Sequence, residues 1–200
     1  LLSGPAGGVV AAQSYALDMH LDQIVSFDMG GTSTDVCSIE NGTIDVSYER
    51  RIDGYVCRLP SVGIHTVGAG GGSIAWVDSG GALRVGPRSS GADPGPACYG
   101  RGGLEPTVVL CRIDPEARLG GDLEINDDAA HRAVASIADE LGVSVRDAAL
   151  GIVSIAEETM AGAIRTVSVE RGVDPGGASL LAFGGAGGLH AIALARALGM

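Results

Sequence analysis

Residues 23–36, QIVSFDMGGTSTDV, constrain this chain more than any other stretch. The apolar run around Ile24, Val25 and Phe27 reads as a buried strand. It ends in Asp28. Two glycines follow Met29, then Thr32, Ser33 and Thr34, then a second acid, Asp35. A strand that ends this way must turn at Gly30-Gly31, where no Cβ blocks approach to the backbone. Two readings of the turn stand side by side. In one, it is a tight turn with Asp28 as a local cap. In the other, backbone N–H groups and the hydroxyls of Thr32, Ser33 and Thr34 converge on a phosphate. Asp28 and Asp35 would repel that phosphate directly, but attract it through a Mg2+ ion held between them, largely through water.

The flanking residues give the turn a context. SGPAGGVVAAQSYALD, from Ser3, predicts a helix, with Pro5 at an early position. Residues 35–40 and 43–48 alternate around Asn41-Gly42, which predicts a hairpin. The opening order is therefore helix, strand, Gly-Thr turn, strand, Asn-Gly turn, strand. A second hairpin is expected over 73–78 and 82–85, around Ser79-Gly80-Gly81, with Trp76 as its anchor. Residues 86–103 are expected to form one long loop, because Gly and Pro fill nine of its 18 positions. Helices follow near 127–141 and from a Ser144/Asp147 capping pair to a stop at Gly172-x-Asp174-Pro175. The chain closes with a strand, SLLAF, a GGAGG turn and the helix LHAIALARALG.

Composition excludes several classes. Glycine is 33 of 200 residues, without a three-residue period, so collagen is ruled out. A net charge of −11 argues against nucleic-acid and anionic-membrane partners. No apolar run approaches the ~18 residues of a membrane span. Cys37, Cys57, Cys98 and Cys111 form no CxxC pair, which argues against zinc; they read as small core residues rather than bridges. The opening Leu1-Leu2, without an initiator methionine or signal peptide, reads as part of a longer cytoplasmic polypeptide. The expected organisation is one domain fragment, 1–200, with a small inserted subdomain at about 86–145.

Other chemistry-bearing residues are less decisive. His65 is read as a hydrogen-bonded structural histidine ahead of a substrate or metal role. His190 either caps near the second Gly-rich turn or simply starts a helix; His20 and His131 read as surface residues. Arg84, Arg88, Asp93 and Arg101 bracket the long loop. They would bind a phosphate or carboxylate, or stabilise the loop and meet a partner, and both readings remain open. Glu157 and Glu158 are adjacent on a helix and do not form a carboxylate pair.

The order helix–strand–DxGGTxxD–strand–NG–strand resembles the second half of the actin-like ATPases. LLAFGGAGGLHA, 180–191, is similar to the adenosine motif of that superfamily. More closely, SGPAGGV, FDMGGTSTDV, the stretch from His65 to Gly103 and VSVERGVDPGGASLLAFGGAGGLHA resemble, in order, the hydantoinase A / 5-oxoprolinase / acetone carboxylase subunit family. The resemblance implies an α/β lobe of the actin-like, ribonuclease H-like type, with a mixed sheet, flanking helices and Gly-rich hairpin turns. It implies ATP and Mg2+, with Asp28 and Asp35 organising the metal and water, and Gly30, Gly31, Thr32, Ser33 and Thr34 holding phosphate. Gly184, Gly185, Gly187 and Gly188 would line the adenosine site. The implied activity is ATP-dependent opening of a cyclic amide such as 5-oxoproline or a hydantoin, or ATP-driven ketone carboxylation. A hydantoinase B-like subunit or domain is the implied partner. Two stretches depart from the family's pattern. Thr107-Val108 runs into VLCR where the family continues TDAN, and EETMAGAIR replaces NANMARAIR. These departures, together with a single DxGGT turn, leave a second reading: a non-catalytic lobe that binds the partner.

Overall fold

A computed structural model describes residues 3–52, 55–58, 60–111, 118–119, 123–169 and 172–200. In chain order the principal elements are helix α1 (Ser3–Asp18), strands β1 (Gln23–Met29), β2 (Thr34–Glu40), β3 (Thr43–Ile44), β4 (His65–Val67), β5 (Ser73–Val77) and β6 (Leu83–Ser89), helices α2 (Asp127–Leu141) and α3 (Val145–Val169), strand β7 (Ser179–Phe183) and helix α4 (Gly187–Leu198). The chain forms two compact units. One comprises Leu1–Asp28, Asp35–Thr66 and Ala161–Met200; the other comprises Met29–Thr34 and Val67–Met160. The expected insertion at about 86–145 lies wholly inside the second.

The first unit is built on a mixed sheet. Its strand order is β7-β1-β2-β3, with β4 also paired to β2. β1 and β7 run parallel, from Ile24 opposite Ser179 to Asp28 opposite Phe183. Ile24, Val25, Ser26 and Phe27 are all buried, so β1 is covered on both faces, as a parallel central strand requires. On one face Val9, Ala12 and Ala16 of α1 pack with Ile24, Cys37 and Ile39. On the other the Phe27 ring lies against Gly187 of α4. Each large apolar side chain buried here contributes roughly 1.5–3 kcal/mol. α1 carries apolar residues around its circumference, and its small residues let it approach the sheet. A Cβ at Gly8 would collide with the Phe183 ring.

The Asn-Gly turn forms as expected: Asn41 and Gly42 both have positive φ, 49° and 68°. The strand expected over 43–48 does not run through. Thr43 and Ile44 pair with Glu40 and Ile39, after which Val46 and Ser47 pair instead with Val62 and Ser61. The alternation is real, but the chain changes partner at Asp45, whose carbonyl accepts from the Gly63 N–H at 2.9 Å.

In the second unit, β5 and β6 form the second hairpin, with Leu83 opposite Val77 and Val85 opposite Ala75. β6 extends to Ser89 through an irregularity after Val85, so the first residues of the expected loop are strand. Trp76 spans the hairpin, its indole N–H donating to the Gly86 carbonyl at 2.9 Å. The Asp78 carboxylate organises the turn, accepting from the Gly80 and Ala82 N–H groups at 2.9 and 3.0 Å and from Arg84 at 2.8 Å. Arg88 pairs with Glu105 at 2.6 Å, so two of the arginines that bracket the expected loop are engaged in ion pairs, Arg84 with the hairpin turn and Arg88 with a residue just past the loop. α2 starts where Asn126 Oδ1 accepts from the Ala129 N–H, and ends on left-handed Gly142. It buries Ala133, Val134, Ile137 and Ala138, while Ala130 packs with Cys98 and Val109. The Ser144/Asp147 pair forms as a capping box, 3.1 Å from the Asp147 N–H to Ser144 Oγ and 2.7 Å between the side chains. Cys37 and Cys98 are buried and Cys111 is half-buried, none of the three in a disulfide; the Cys57 side chain lies outside the described residues.

Candidate functional site

Within the first unit, two carboxylates share one neighbourhood. Asp28 is the last residue of β1 in that unit, and Asp35 sits near the start of β2; both are half-buried. Burial first, and the Asp35 carboxylate second, push the Asp28 carboxyl above the ordinary carboxylate range. Asp35 is held by Thr66 of β4, whose hydroxyl donates to Asp35 Oδ1. A divalent cation would relieve both causes of the Asp28 shift. Among the described residues no group of three or more His, Cys, Asp and Glu comes together. A two-carboxylate set leaves most of a coordination shell to water and phosphate, which suits Mg2+ rather than an ion needing a full protein cage.

Still within the first unit, Phe183 is the register partner of Asp28, so β7 ends at the same edge of the sheet. Gly184 then takes φ +81°, where a side chain would be strained. A Cβ on Gly185 or Gly188 would meet no atom within 4 Å, and both residues are exposed. The helix begins earlier than expected. Gly187 and Gly188 belong to the first turn of α4, not to the loop. No side chain caps that turn, which leaves backbone donors for an incoming group. His190 is fully buried on α4 and belongs to the core.

Within the second unit, the Gly-Thr turn is closed by the Gly30 N–H donating to the Ser33 carbonyl at 3.1 Å. It rests on a second glycine loop, 68–72. The Gly71 and Gly72 N–H groups donate to the Gly30 and Gly31 carbonyls at 3.0 and 2.6 Å. Thr34 is buried, and its hydroxyl donates to the Ala69 carbonyl. The two loops approach backbone to backbone. A Cβ at Gly70 would lie 2.6–2.7 Å from main-chain atoms of Gly31, Thr32 and Ser33. Gly30 and Gly31 differ. Neither has positive φ, and a Cβ on either would meet nothing within 4 Å. Neither backbone conformation nor internal packing demands glycine at these two positions; what its absence of side chain provides is open space above the turn. Gly31 and Thr32 are exposed, and Ser33 is half-buried. The supporting residues Thr66, Gly70 and Gly72 are not singled out by the sequence, in which they fall within the stretch from His65 to Gly103 that carries the family resemblance.

The whole chain, 1–200, matches the family model for hydantoinase/oxoprolinase. The chain belongs to the hydantoinase/oxoprolinase family. Within it, the chain is 43% identical to caprolactamase subunit alpha of Pseudomonas jessenii over 98% of its own length and 29% of that subunit. The structure of the ATP-dependent caprolactamase from that organism superposes with a TM-score of 0.90 at 42% identity, covering all of this chain and 30% of the other. Nucleotide-free acetone carboxylase superposes with a TM-score of 0.91 at 30% identity, again over the whole chain and 29% of its own. The 5-oxoprolinase of Saccharomyces cerevisiae is 37% identical over the full chain and 17% of its length. The family's mixed α/β architecture is thus shared throughout the chain, which spans less than a third of each of these relatives.

Proposed function

We propose that this chain is the ATP-binding part of a cytoplasmic enzyme that hydrolyses a cyclic amide of the 5-oxoproline or hydantoin type. The observation that carries the proposal is the Gly30-Gly31 turn. It presents open backbone and hydroxyls, and in sequence it lies between two carboxylates, one of which is destabilised in its charged form. The 43% identity to a caprolactamase subunit, whose name is that of an enzyme acting on a cyclic amide, supports the substrate class.

ATP would supply the phosphoryl group that makes the amide carbonyl a competent electrophile, with Mg2+ offsetting phosphate charge. Asp28 and Asp35 are the residues that would hold the metal, in large part through water. Thr66 fixes Asp35 by occupying one of its oxygens. Gly31, Thr32 and Ser33 offer N–H and hydroxyl donors to the phosphates, Gly30 holds phosphate by leaving its approach open while its own N–H closes the turn, and Thr34 anchors the turn from beneath. Gly184, Gly185, Gly187 and Gly188 serve the adenosine, with the uncapped start of α4 as an additional donor surface. A hydantoinase B-like subunit or domain would complete the lactam site.

A ketone carboxylase is the second reading, favoured by the 0.91 TM-score to acetone carboxylase; a non-catalytic lobe that binds the partner is the third. The deciding experiment is ATP turnover by the full-length protein with its partner. Stimulation by lactams or hydantoins supports the proposal. Stimulation only by ketone plus bicarbonate selects carboxylation, and nucleotide binding without turnover under either condition selects the scaffold.

A further inference from the structure

The phosphate reading leaves one hydroxyl of the second unit unexplained. Ser89 closes β6, 57 residues after Thr32 in sequence, yet its Oγ stands 3.4 Å from Thr32 Oγ1. That separation exceeds the ~2.7–2.8 Å of a well-made hydroxyl pair. Their mutual hydrogen bond is therefore a long, weak one that an incoming charged acceptor can replace. Two hydroxyls at this spacing flank a point where one acceptor oxygen would lie within hydrogen-bond reach of both.

The surrounding bonds fix Ser89 in that role. Its Oγ accepts from the Gly91 N–H at 3.2 Å, which uses a lone pair and not the hydroxyl proton, whose competing partner is the weakly held Thr32 hydroxyl. Ser90 is committed elsewhere: its N–H and its hydroxyl both go to the Gly72 carbonyl, at 2.9 and 3.3 Å. Gly72 in turn donates to the Gly31 carbonyl. A Cβ at Gly72 would lie 3.0 Å from Ser89 Oγ and 2.8 Å from the Gly31 oxygen, so the close approach of the two segments requires glycine there. Ser90 and Gly72 thus clamp the end of β6 onto the Gly-Thr turn and bring the Ser89 hydroxyl beside Thr32.

We propose that Ser89 is a second hydroxyl of the phosphate cradle, which together with Thr32 donates to one phosphate oxygen of the bound nucleotide. The assignment rests on the ATP reading above and extends the site to the SSGADPG stretch. A hydrogen bond to a charged oxygen is of a size that makes its loss cost about tenfold or more in affinity.

The test uses the full-length protein with its partner and MgATP and MgADP as probes. Ser89→Ala should raise the nucleotide Kd and the KM for ATP about tenfold, leave the KM for the amide unchanged and hardly move the melting temperature. Ser89→Thr, which retains the hydroxyl, should restore most of the affinity. Combining Ser89→Ala with Thr32→Ala should weaken binding by less than the product of the two single effects, because both groups serve one oxygen. Nucleotide affinity within twofold of wild type in Ser89→Ala, alongside clear weakening in Thr32→Ala, would overturn the Ser89 assignment and leave the ATP site standing. Unchanged affinity in Ser89→Ala, Thr32→Ala and Asp28→Asn together would remove the phosphate reading itself, and Ser89 with it.

Discussion

At the scale of single residues, Asp28 sets chemistry against stability. Its folded carboxyl holds a proton more tightly than the unfolded one, whose ordinary value is 3.8. Raising the pH through and above 3.8 therefore costs folding stability, because the native state must lose a proton it prefers to keep. In the full-length protein, Asp28→Asn should melt no lower than wild type at neutral pH, while amide-dependent ATP turnover falls roughly a hundredfold or more. Near-normal turnover would make Asp28 a turn residue only. The two glycine loops yield a paired expectation. Gly70→Ala drives a methyl into main chain and should cost about 3 kcal/mol or more of stability, read from denaturant unfolding. Gly31→Ala meets open space, so stability should hold within about 1 kcal/mol while MgATP affinity falls about tenfold. Equal effects on stability in the two variants would refute that distinction. The contrast also explains what could be read in advance. Asp28, Gly30, Gly31 and Asp35 stand together in sequence, and their meaning is local. Thr66, Gly70 and Ser89 acquire theirs only through contacts 31 to 57 residues away or through backbone approach between loops, and no local pattern marks them.

At the scale of elements, legibility followed the same divide. Caps and turns obey nearest-neighbour rules, so Asn41-Gly42 and the Ser144/Asp147 box were readable. The partner change at Asp45 was not, because alternation marks a strand without naming its neighbour. The run of β6 past Gly86 was hidden by Gly and Pro, which mark loops but also irregular strands. Asp78 is the element-level determinant that composition concealed. Hydrogen bonds from Ala82 first, then Arg84, hold its carboxyl below the ordinary 3.8. Its contribution to the hairpin is thus present above 3.8 and is lost as the pH falls through the depressed folded value. Hydrogen exchange at the Gly80 and Ala82 amides should accelerate in Asp78→Ala at neutral pH, and an unchanged rate would mean that the turn stands without it.

At the scale of the whole molecule, the chain spans under a third of the relatives it matches. It holds one glycine turn of the DxGGT kind, and catalysis of phosphoryl transfer depends on charge stabilisation in a closed, water-poor site. Purified residues 1–200 should therefore bind MgATP weakly and fail to hydrolyse it whether or not a lactam is present. Sustained lactam-dependent hydrolysis by this chain alone would contradict that expectation. Neither unit is a continuous segment, and the family's mixed sheet is completed from the far end of the chain.

The pairing of β1 with β7 has a consequence for how the chain is made. Ile24 and Ser179 are register partners about 150 residues apart. At the pace of translation, roughly 5–20 residues per second, β1 waits on the order of ten to thirty seconds before its parallel neighbour leaves the ribosome. Throughout that interval this strand, four of whose residues are buried in a row in the finished sheet, has one hydrogen-bonding edge unfilled, which is the kind of edge that recruits stray strands from other nascent chains. A ribosome that stalls before Ser179 would release a polypeptide with that edge permanently bare. Such truncated products should be the aggregation-prone ones, and holding chaperones should engage β1 until SLLAF arrives.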